Sequence, residues 1–284
     1  MMKGEWKRSV KHVKQPRNPR RLVVKVGTST LTRETGSLNL QNMEHLARVL
    51  ADLEGMGYQP VLVSSGAIGI GTKKLRLGER PTELRMKQAA AAVGQCRMMH
   101  IYDKLFAEYN RTVAQILLTG EDVESPVRSE HLHNTFEALL ELGVIPVVNE
   151  NDSVSSAEIE TGQCKVLGDN DTLSAIVARL CGAGLLVLFS DIDGLYDADP
   201  RTRPDARLIH QVEAITPELQ AMAGGAGTWR STGGMATKLN AAQLCLEAGV
   251  DMVIANGARM EALYDIVEGK NVGTRFSARR GALQ

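Results

Sequence analysis

Short, nearly continuous apolar runs alternate along this chain with longer segments of helical periodicity. The first run spans 22–27, and in the segment at 39–57 the apolar residues lie three or four positions apart. The first pattern is typical of a buried strand and the second of an amphipathic helix. By the same criteria the sequence predicts further strands at 60–66, 113–118, 144–148, 185–189 and 252–255, and further helices at 83–109, 125–142, 170–181 and 235–248.

The predicted strands are nearly continuous apolar runs, without the alternation of a half-exposed sheet. Strands of this kind are buried on both faces, as in a mainly parallel sheet that is covered by helices. Their alternation with helices predicts an α/β fold, a three-layer α/β/α sandwich with a mainly parallel central sheet. Two less regular stretches interrupt it, at 153–168, which suits a hairpin flap, and at 200–229, which suits a lid or loop region.

Length and charge narrow the range of functions. The chain has 284 residues, of which 43% are hydrophobic, so one large α/β domain or two small ones are possible. We favour a single domain over 21–278. Lysine plus arginine and aspartate plus glutamate each total 33, so the formal net charge is zero. A neutral chain is not built around a polyanion, which argues against nucleic acid as the main partner.

The amino-terminal segment 1–20 is basic and has Glu5 as its one acid. We expect a solvated, disordered arm, with an organelle-targeting or partner-docking segment as the alternative. It lacks the apolar core of a secretory signal, and no run in the chain is long enough to span a membrane. We therefore expect a cytoplasmic protein. The four cysteines are scattered without a C-x-x-C pair, which predicts reduced thiols: Cys96, Cys164, Cys181 and Cys245.

The residues that follow the predicted strands carry the candidate chemistry, because ligands of open α/β sheets bind beyond the carboxyl ends of the strands. Glycines there let backbone N–H groups approach anionic oxygens. Gly27 and the Gly66-x-x-Gly69-x-Gly71 stretch are suited to cradle phosphate, with ordinary tight turns as the alternative. A further glycine-rich segment at 233–238 opens a helix, whose amino terminus suits a nucleotide phosphate. The P-loop and dinucleotide glycine motifs are both absent from the sequence.

Two lysines break local rules. Lys25 lies inside an apolar strand, and Lys238 lies in the first turn of a helix, where the helix dipole disfavours a cation. Such violations tend to mark functional sites. The alternatives are a strand-edge lysine that reaches water and a solvated surface lysine. The run 169–172 (Asp-Asn-Asp-Thr) opens another helix, and capping explains only one of its polar residues.

Two weak metal signals are discounted, and no metal site is predicted. Asp191-x-Asp193-Gly194 resembles a calcium loop, but its glycine comes too early and the terminal glutamate is missing. His131 and His133 are two positions apart near a predicted helix start, where such residues do not share a face.

Taken together, these segments resemble the amino acid kinase family, from about Arg21 to Phe276. Within the family the chain is similar to the members that phosphorylate glutamate, since kinases of aspartate, acetylglutamate, carbamate and uridylate lack its combination of Asn-Glu-Asn-Asp and Gly-Gly-Met-x-Thr-Lys. The segments that carry the resemblance are 24–29, 64–68, 149–152, 168–171, 190–196 and 232–238. The PUA domain that follows the kinase domain in many bacterial members is not expected here.

The resemblance implies roles for individual residues. Lys25 and Lys238 would contact the transferred phosphoryl group, and Asp169 would hold both lysines in place. The glutamate site would consist of Ser65, Gly66, Asn149, Asp152, Asn170 and Asp171. The ATP site would consist of Lys25, Gly27, Ser190, Asp191, Thr232, Gly233, Gly234, Met235, Ala236, Thr237 and Lys238.

The resemblance also implies the reaction and its partners. The γ-phosphate of ATP, bound with Mg²⁺, would move to the γ-carboxylate of L-glutamate and give L-glutamyl 5-phosphate, the first step of proline biosynthesis. Feedback inhibition by proline, a homo-oligomer (dimer or tetramer) and handover of the labile product to glutamate-5-semialdehyde dehydrogenase are further expectations from the family. The residues themselves leave a sister kinase or a non-catalytic nucleotide-binding protein on the same fold as alternatives.

Overall fold

The computed structural model describes residues 17–33, 37–154, 167, 169–223 and 234–278. Nearly all of the basic arm lies outside these residues. The same holds for most of the predicted flap, at 155–166 and 168.

A single eight-stranded sheet organises the described part of the chain, in the order β3-β4-β2-β1-β5-β7-β8-β6. Neighbouring strands from β3 through β7 pair in parallel, whereas β8 is antiparallel to β7 and parallel to β6. The strands are β1 (Asn18–Lys25), β2 (Gln59–Val63), β3 (Val113–Leu118), β4 (Ile145–Glu150), β5 (Ala183–Ser190), β6 (Gln211–Val212), β7 (Asp251–Asn256) and β8 (Thr274–Phe276).

Helices connect these strands. They are α1 (Thr28–Leu31), α2 (Leu40–Gly55), α3 (Ala67–Lys74), α4 (Leu84–Ala107), α5 (Gly120–Glu124), α6 (Pro126–Glu141), α7 (Asn170–Leu180), α8 (Pro217–Ala223), α9 (Met235–Ala248) and α10 (Ala262–Val267).

Each face of the sheet carries its own hydrophobic core. Val23 of β1 packs in the cluster that contains α6, α7 and α9. Its neighbours Leu22 and Val24 point to the other face, into the cluster that contains α2, α4 and α10. All three side chains are buried. Consecutive apolar residues in β1 thus face both layers, and the prediction of a three-layer sandwich with a mainly parallel sheet is confirmed.

The predicted elements match the observed ones to within a few residues where the apolar pattern is long. The strand at 113–118 and the helix at 235–248 have the predicted bounds. The pattern missed α3, which was interpreted as a glycine-rich loop, and the short elements α1, α5, β6, α8, α10 and β8. In the part of the chain described here, no helix is long and apolar enough to cross a membrane.

Candidate active site

The carboxyl ends of four neighbouring strands bring the polar residues together. In the sheet order β4-β2-β1-β5, Lys25 at the end of β1 pairs in register with Val63 of β2 and Leu188 of β5. Asn149 is the last residue but one of β4, and Ser190 is the last residue of β5. Residues more than a hundred positions apart therefore share one edge of the sheet, as the open α/β rule predicts.

Asp171 joins the two exceptional lysines. The Nζ atom of Lys25 lies 2.6 Å from Oδ1 of Asp171, and the Nζ atom of Lys238 lies 3.1 Å from Oδ2. The hydroxyl of Thr237 also donates a hydrogen bond to Oδ2, at 3.0 Å. The carboxylate thus holds both ammonium groups at fixed positions beyond the sheet.

The three charged side chains of this cluster are buried. The side chains of Lys25, Lys238 and Asp171 are 9%, 6% and 1% exposed. Burial alone would raise the pKa of Asp171, but the charges of Lys25 and Lys238 outweigh it and hold that pKa below its usual value. Two cations and one anion leave a net charge of about +1 in a poorly solvated place, which favours an additional anion.

Asp169 makes a different contact from the one that the resemblance implied. Its Oδ1 accepts hydrogen bonds from the backbone N–H groups of Asp171 and Thr172 at 2.8 and 2.9 Å, and its Oδ2 accepts one from the Thr172 hydroxyl at 3.0 Å. It therefore caps α7, and the contact with the lysines that was expected of Asp169 is made by Asp171. The helix starts at Asn170, so the cap presents Asp171 from its first turn.

Ser65 and Asn170 lie in direct contact. The Nδ2 atom of Asn170 donates to Oγ of Ser65 at 2.6 Å and to the Ser64 carbonyl at 3.2 Å, while the Ser65 hydroxyl donates to the Val26 carbonyl at 3.0 Å. The turn after Ser65 needs Gly66, because its φ of +94° lies in the left-handed region. These contacts tie the ends of β1 and β2 to the start of α7.

Asn149 lies near the end of β4, and Asp152 follows the strand. Asn149 is buried and its Nδ2 donates to Oε1 of Gln95 on α4 at 3.0 Å. Asp152 is half-buried and lines a pocket of 360 Å³ together with Gln95. Gln95 is not recognisable from the sequence, since a glutamine in a helical pattern gives no signal.

The predicted ATP residues are partly described. Gly27 adjoins the Lys25 ammonium, since a methyl group at its Cα would lie 3.6 Å from Nζ. Ser190 donates from its hydroxyl to Oδ1 of the exposed Asp191 at 3.1 Å. Gly234 is the residue before α9, whose first turn contains Met235, Ala236, Thr237 and Lys238. Thr232 and Gly233 lie outside the described residues.

Part of the glycine stretch after β2, which was expected to bind phosphate, lies inside a helix. Gly69 and Gly71 belong to α3. A methyl group on Gly71 would lie 1.7 Å from the carbonyl oxygen of Ala90 on α4. Gly71 is therefore required for close packing of the two helices, and a phosphate-binding role for the N–H groups of this stretch stays a prediction.

The family follows from comparison with known sequences. The profile described as the amino acid kinase family matches residues 20–256. The chain belongs to the amino acid kinase family. A glutamate 5-kinase from Clostridium perfringens is 53% identical over 265 residues, covering 93% of this chain and 98% of the relative. Another from Clostridium tetani is 56% identical and covers 90% of this chain and 94% of the relative.

Solved structures of amino acid kinase fold proteins agree with the fold. The UMP kinase of Ureaplasma parvum superposes with a TM-score of 0.61 at 15% identity, over 93% of this chain and 99% of that one. The isopentenyl phosphate kinase of T. acidophilum gives a TM-score of 0.60 at 16% identity, over 90% of this chain and 99% of that one. At such identities the likeness concerns the fold alone.

Proposed function

We propose that this member of the family is a glutamate 5-kinase, which transfers the γ-phosphate of ATP to the side-chain carboxylate of L-glutamate. The observation that carries the proposal is the buried cluster of Lys25, Lys238 and Asp171 at the ligand-binding edge of the sheet. Its chemistry suits phosphoryl transfer between two anions. Relatives named glutamate 5-kinase that are about half identical over nearly the whole chain support the choice of acceptor.

The reaction needs no general base. The side chain of glutamate has a pKa of about 4.3, so near neutral pH it is already an anionic nucleophile. One of its oxygens forms a bond to the γ-phosphorus, the bond between that phosphorus and the β,γ-bridging oxygen breaks, and ADP leaves with the electron pair. The products are ADP and L-glutamyl 5-phosphate.

Positioning and positive charge are then the main tasks of the protein. Lys25 and Lys238 would contact the transferred phosphoryl group, with Asp171 keeping them in place. A charge pair at ~4 Å is worth ~4 kcal/mol at an effective dielectric constant of ~20. Because Asp171 fixes the ammonium groups before substrate binds, little reorganisation is needed when charge develops in the transition state.

ATP would lie against Gly27, Ser190, Asp191 and the first turn of α9. In residues 17–33, 37–154, 167, 169–223 and 234–278, no three His, Cys, Asp or Glu side chains cluster so that they could hold a metal ion. Mg²⁺ commonly enters such sites bound to substrate phosphates, with few protein ligands. We therefore treat MgATP as the substrate and assign no residue to the metal.

Glutamate would lie next to Ser65 and Asn170, with its α-ammonium group facing Asp152. A carboxylate suits this ammonium group, and Asp152 is half-buried at a pocket that opens beside the end of β4. Asn149 adjoins the same region through its hydrogen bond to Gln95.

Several finer expectations from the family stay predictions. They are inhibition by proline, assembly into a dimer or tetramer, handover of the product to glutamate-5-semialdehyde dehydrogenase and a cytoplasmic location.

A panel of acceptors tests the proposal. ADP release is measured with MgATP and L-glutamate, and in parallel with N-acetylglutamate, aspartate and UMP. We expect turnover with L-glutamate and at most ~1% of that kcat/KM with the others, since a missing or blocked charged contact costs about 3 kcal/mol. Turnover on a different acceptor would identify a sister kinase, and ATP binding without turnover on any acceptor would favour a non-catalytic nucleotide-binding protein.

A further inference from the structure

Gln95 has a buried carboxamide group, and of its two polar atoms only the oxygen has a hydrogen-bond partner among the described residues. The residue lies on α4 and is 7% exposed. Its Oε1 accepts the hydrogen bond from Nδ2 of Asn149 at 3.0 Å. Within the described part of the chain its Nε2 is buried and has no hydrogen-bond partner.

An unsatisfied buried donor of this kind calls for an explanation. Leaving an N–H group without a partner after removal from water costs about 1–3 kcal/mol, and native proteins contain few such groups. Asn149 occupies the oxygen end of the Gln95 carboxamide, so the nitrogen end is the one left for another molecule. A ligand with an acceptor oxygen would remove the cost.

Gln95 lines the same pocket as Asp152. The pocket has a volume of 360 Å³ and lies between α4 and the ends of β3 and β4. Ala67, two residues after Ser65, also lines it. The pocket therefore adjoins the proposed glutamate site, and its lining combines two acidic residues, Glu150 and Asp152, with a neutral amide donor that has no partner among the described residues.

We propose that Gln95 is a specificity-determining residue whose Nε2 donates a hydrogen bond to the α-carboxylate of the amino-acid substrate. The proposal rests on the function proposed above. The α-carbon of an amino acid carries one cation and one anion, which need an acceptor and a donor side by side. Asp152 supplies the acceptor for the ammonium group, and Gln95 supplies the donor for the carboxylate.

Gln95→Met tests this role, because methionine keeps the length of the side chain and removes both polar atoms. A hydrogen bond to a charged group is worth about tenfold or more in affinity, so we expect the KM for L-glutamate to rise at least ~10-fold. The KM for ATP and kcat should change less than ~3-fold, since a contact made equally in the ground and transition states changes KM alone.

A truncated ligand separates this contact from a general loosening of the site. 4-Aminobutyrate keeps the reacting carboxylate and the ammonium group of glutamate and lacks the α-carboxylate. Its inhibition constant against L-glutamate should be the same in the wild type and in Gln95→Met, within about 2-fold, because the lost hydrogen bond has no acceptor in this ligand. An equal weakening of both ligands would show that Gln95 acts only by supporting Asn149 and would overturn the proposal.

Gln95→Glu provides a second variant, because it keeps the shape of the side chain and an acceptor for Asn149 but places a carboxylate where the donor was. We expect it to raise the glutamate KM more than Gln95→Met does. Gln88→Met, the same substitution two turns earlier on α4, is the matched control and should leave both KM values unchanged. Thermal unfolding of all variants shows that they are folded.

The outcomes for the proposed function and for this inference are distinct. If the wild type phosphorylates L-glutamate but Gln95→Met keeps its glutamate KM within ~2-fold, the inference fails and the function stands. A wild type that does not phosphorylate L-glutamate overturns both. Loss of kcat without a rise in KM would also overturn the inference, since it would place Gln95 in the chemical step.

Discussion

At the scale of single residues, the site depends on opposite charges that compensate one another in a buried place. Lys25 or Lys238 without a counter-charge would be costly to bury, and so would Asp171 without a cation. Together they leave about one net positive charge where the phosphoryl group is proposed to pass. The sequence marks the lysines because each breaks a local rule, whereas it does not distinguish Asp171 from Asp169, two positions away. That choice depends on the geometry of the start of α7.

Lys238→Ala should lower kcat at least ~100-fold, because one of the two charges that stabilise the transferred phosphoryl group is removed, and each ~1.4 kcal/mol is tenfold in rate. Steady-state kinetics with saturating ATP and L-glutamate measures the effect. Lys73→Ala, at an exposed lysine of α3, is the control and should be neutral. A loss smaller than ~5-fold in Lys238→Ala is incompatible with the proposed role.

Asp171→Asn should lower the free energy of unfolding in a pH-dependent way. The pKa of Asp171 is depressed in the folded protein, so its ionised form contributes stability above the unfolded value of about 3.9. That contribution is lost as the pH falls through the folded-state pKa. Denaturant unfolding at about pH 7 should show a gap of about 3 kcal/mol between wild type and variant, and the gap should narrow below about pH 4. A difference in unfolding free energy that is independent of pH would contradict the role of the ionised Asp171 carboxylate as the partner of the two lysines.

At the scale of elements, two helix starts and one helix pair shape the site. The cap at Asp169 fixes the first turn of α7, and thereby Asn170 and Asp171. The close contact of α3 with α4 sets the position of the turn after β2 relative to the pocket. Periodicity did not predict α3, because its glycines resemble a loop until the packing partner at Ala90 is known.

Asp169→Ala should lower the free energy of unfolding by about 1 kcal/mol through loss of the cap, and Asp169→Ser should restore most of it. If Asp169 acts only as the cap, the serine variant also recovers most of the activity. Unfolding curves and kcat, measured on both variants, distinguish a capping role of Asp169 from a catalytic one. A serine variant that is stable but inactive would instead support the direct catalytic role that the family resemblance implies.

Gly71→Ala should destabilise the protein by about 2 kcal/mol or more, because the added methyl group would overlap the carbonyl oxygen of Ala90 and force α3 and α4 apart. Gly69→Ala on the same helix is the matched control. No atom lies within 4 Å of the methyl group it would add, so this variant should be as stable as the wild type or up to ~1 kcal/mol more stable. Thermal and denaturant unfolding of the pair measures the difference, and equal stabilities would refute the packing role.

At the scale of the whole molecule, the sequence predicts the layers better than the pocket. Strands such as β1 and β5 are buried on both faces, so their apolar runs reveal a covered parallel sheet without any knowledge of their neighbours. The contact between Gln95 and Asn149 joins residues 54 positions apart, and Gln95 is not unusual in its own segment. Such pairings appear only when the order of the strands and the position of α4 are known.

The central claim is that the two-lysine cluster transfers a phosphoryl group to the side-chain carboxylate of glutamate. The most direct measurement is a hydroxylamine trap with MgATP and L-glutamate, because hydroxylamine displaces phosphate from an acyl phosphate and leaves a stable hydroxamate at the carboxyl group that was phosphorylated. We expect γ-glutamyl hydroxamate in amounts equal to the ADP released, and at least ~100-fold slower formation by Lys238→Ala. No hydroxamate from glutamate, or a hydroxamate on the α-carboxyl group, would contradict it.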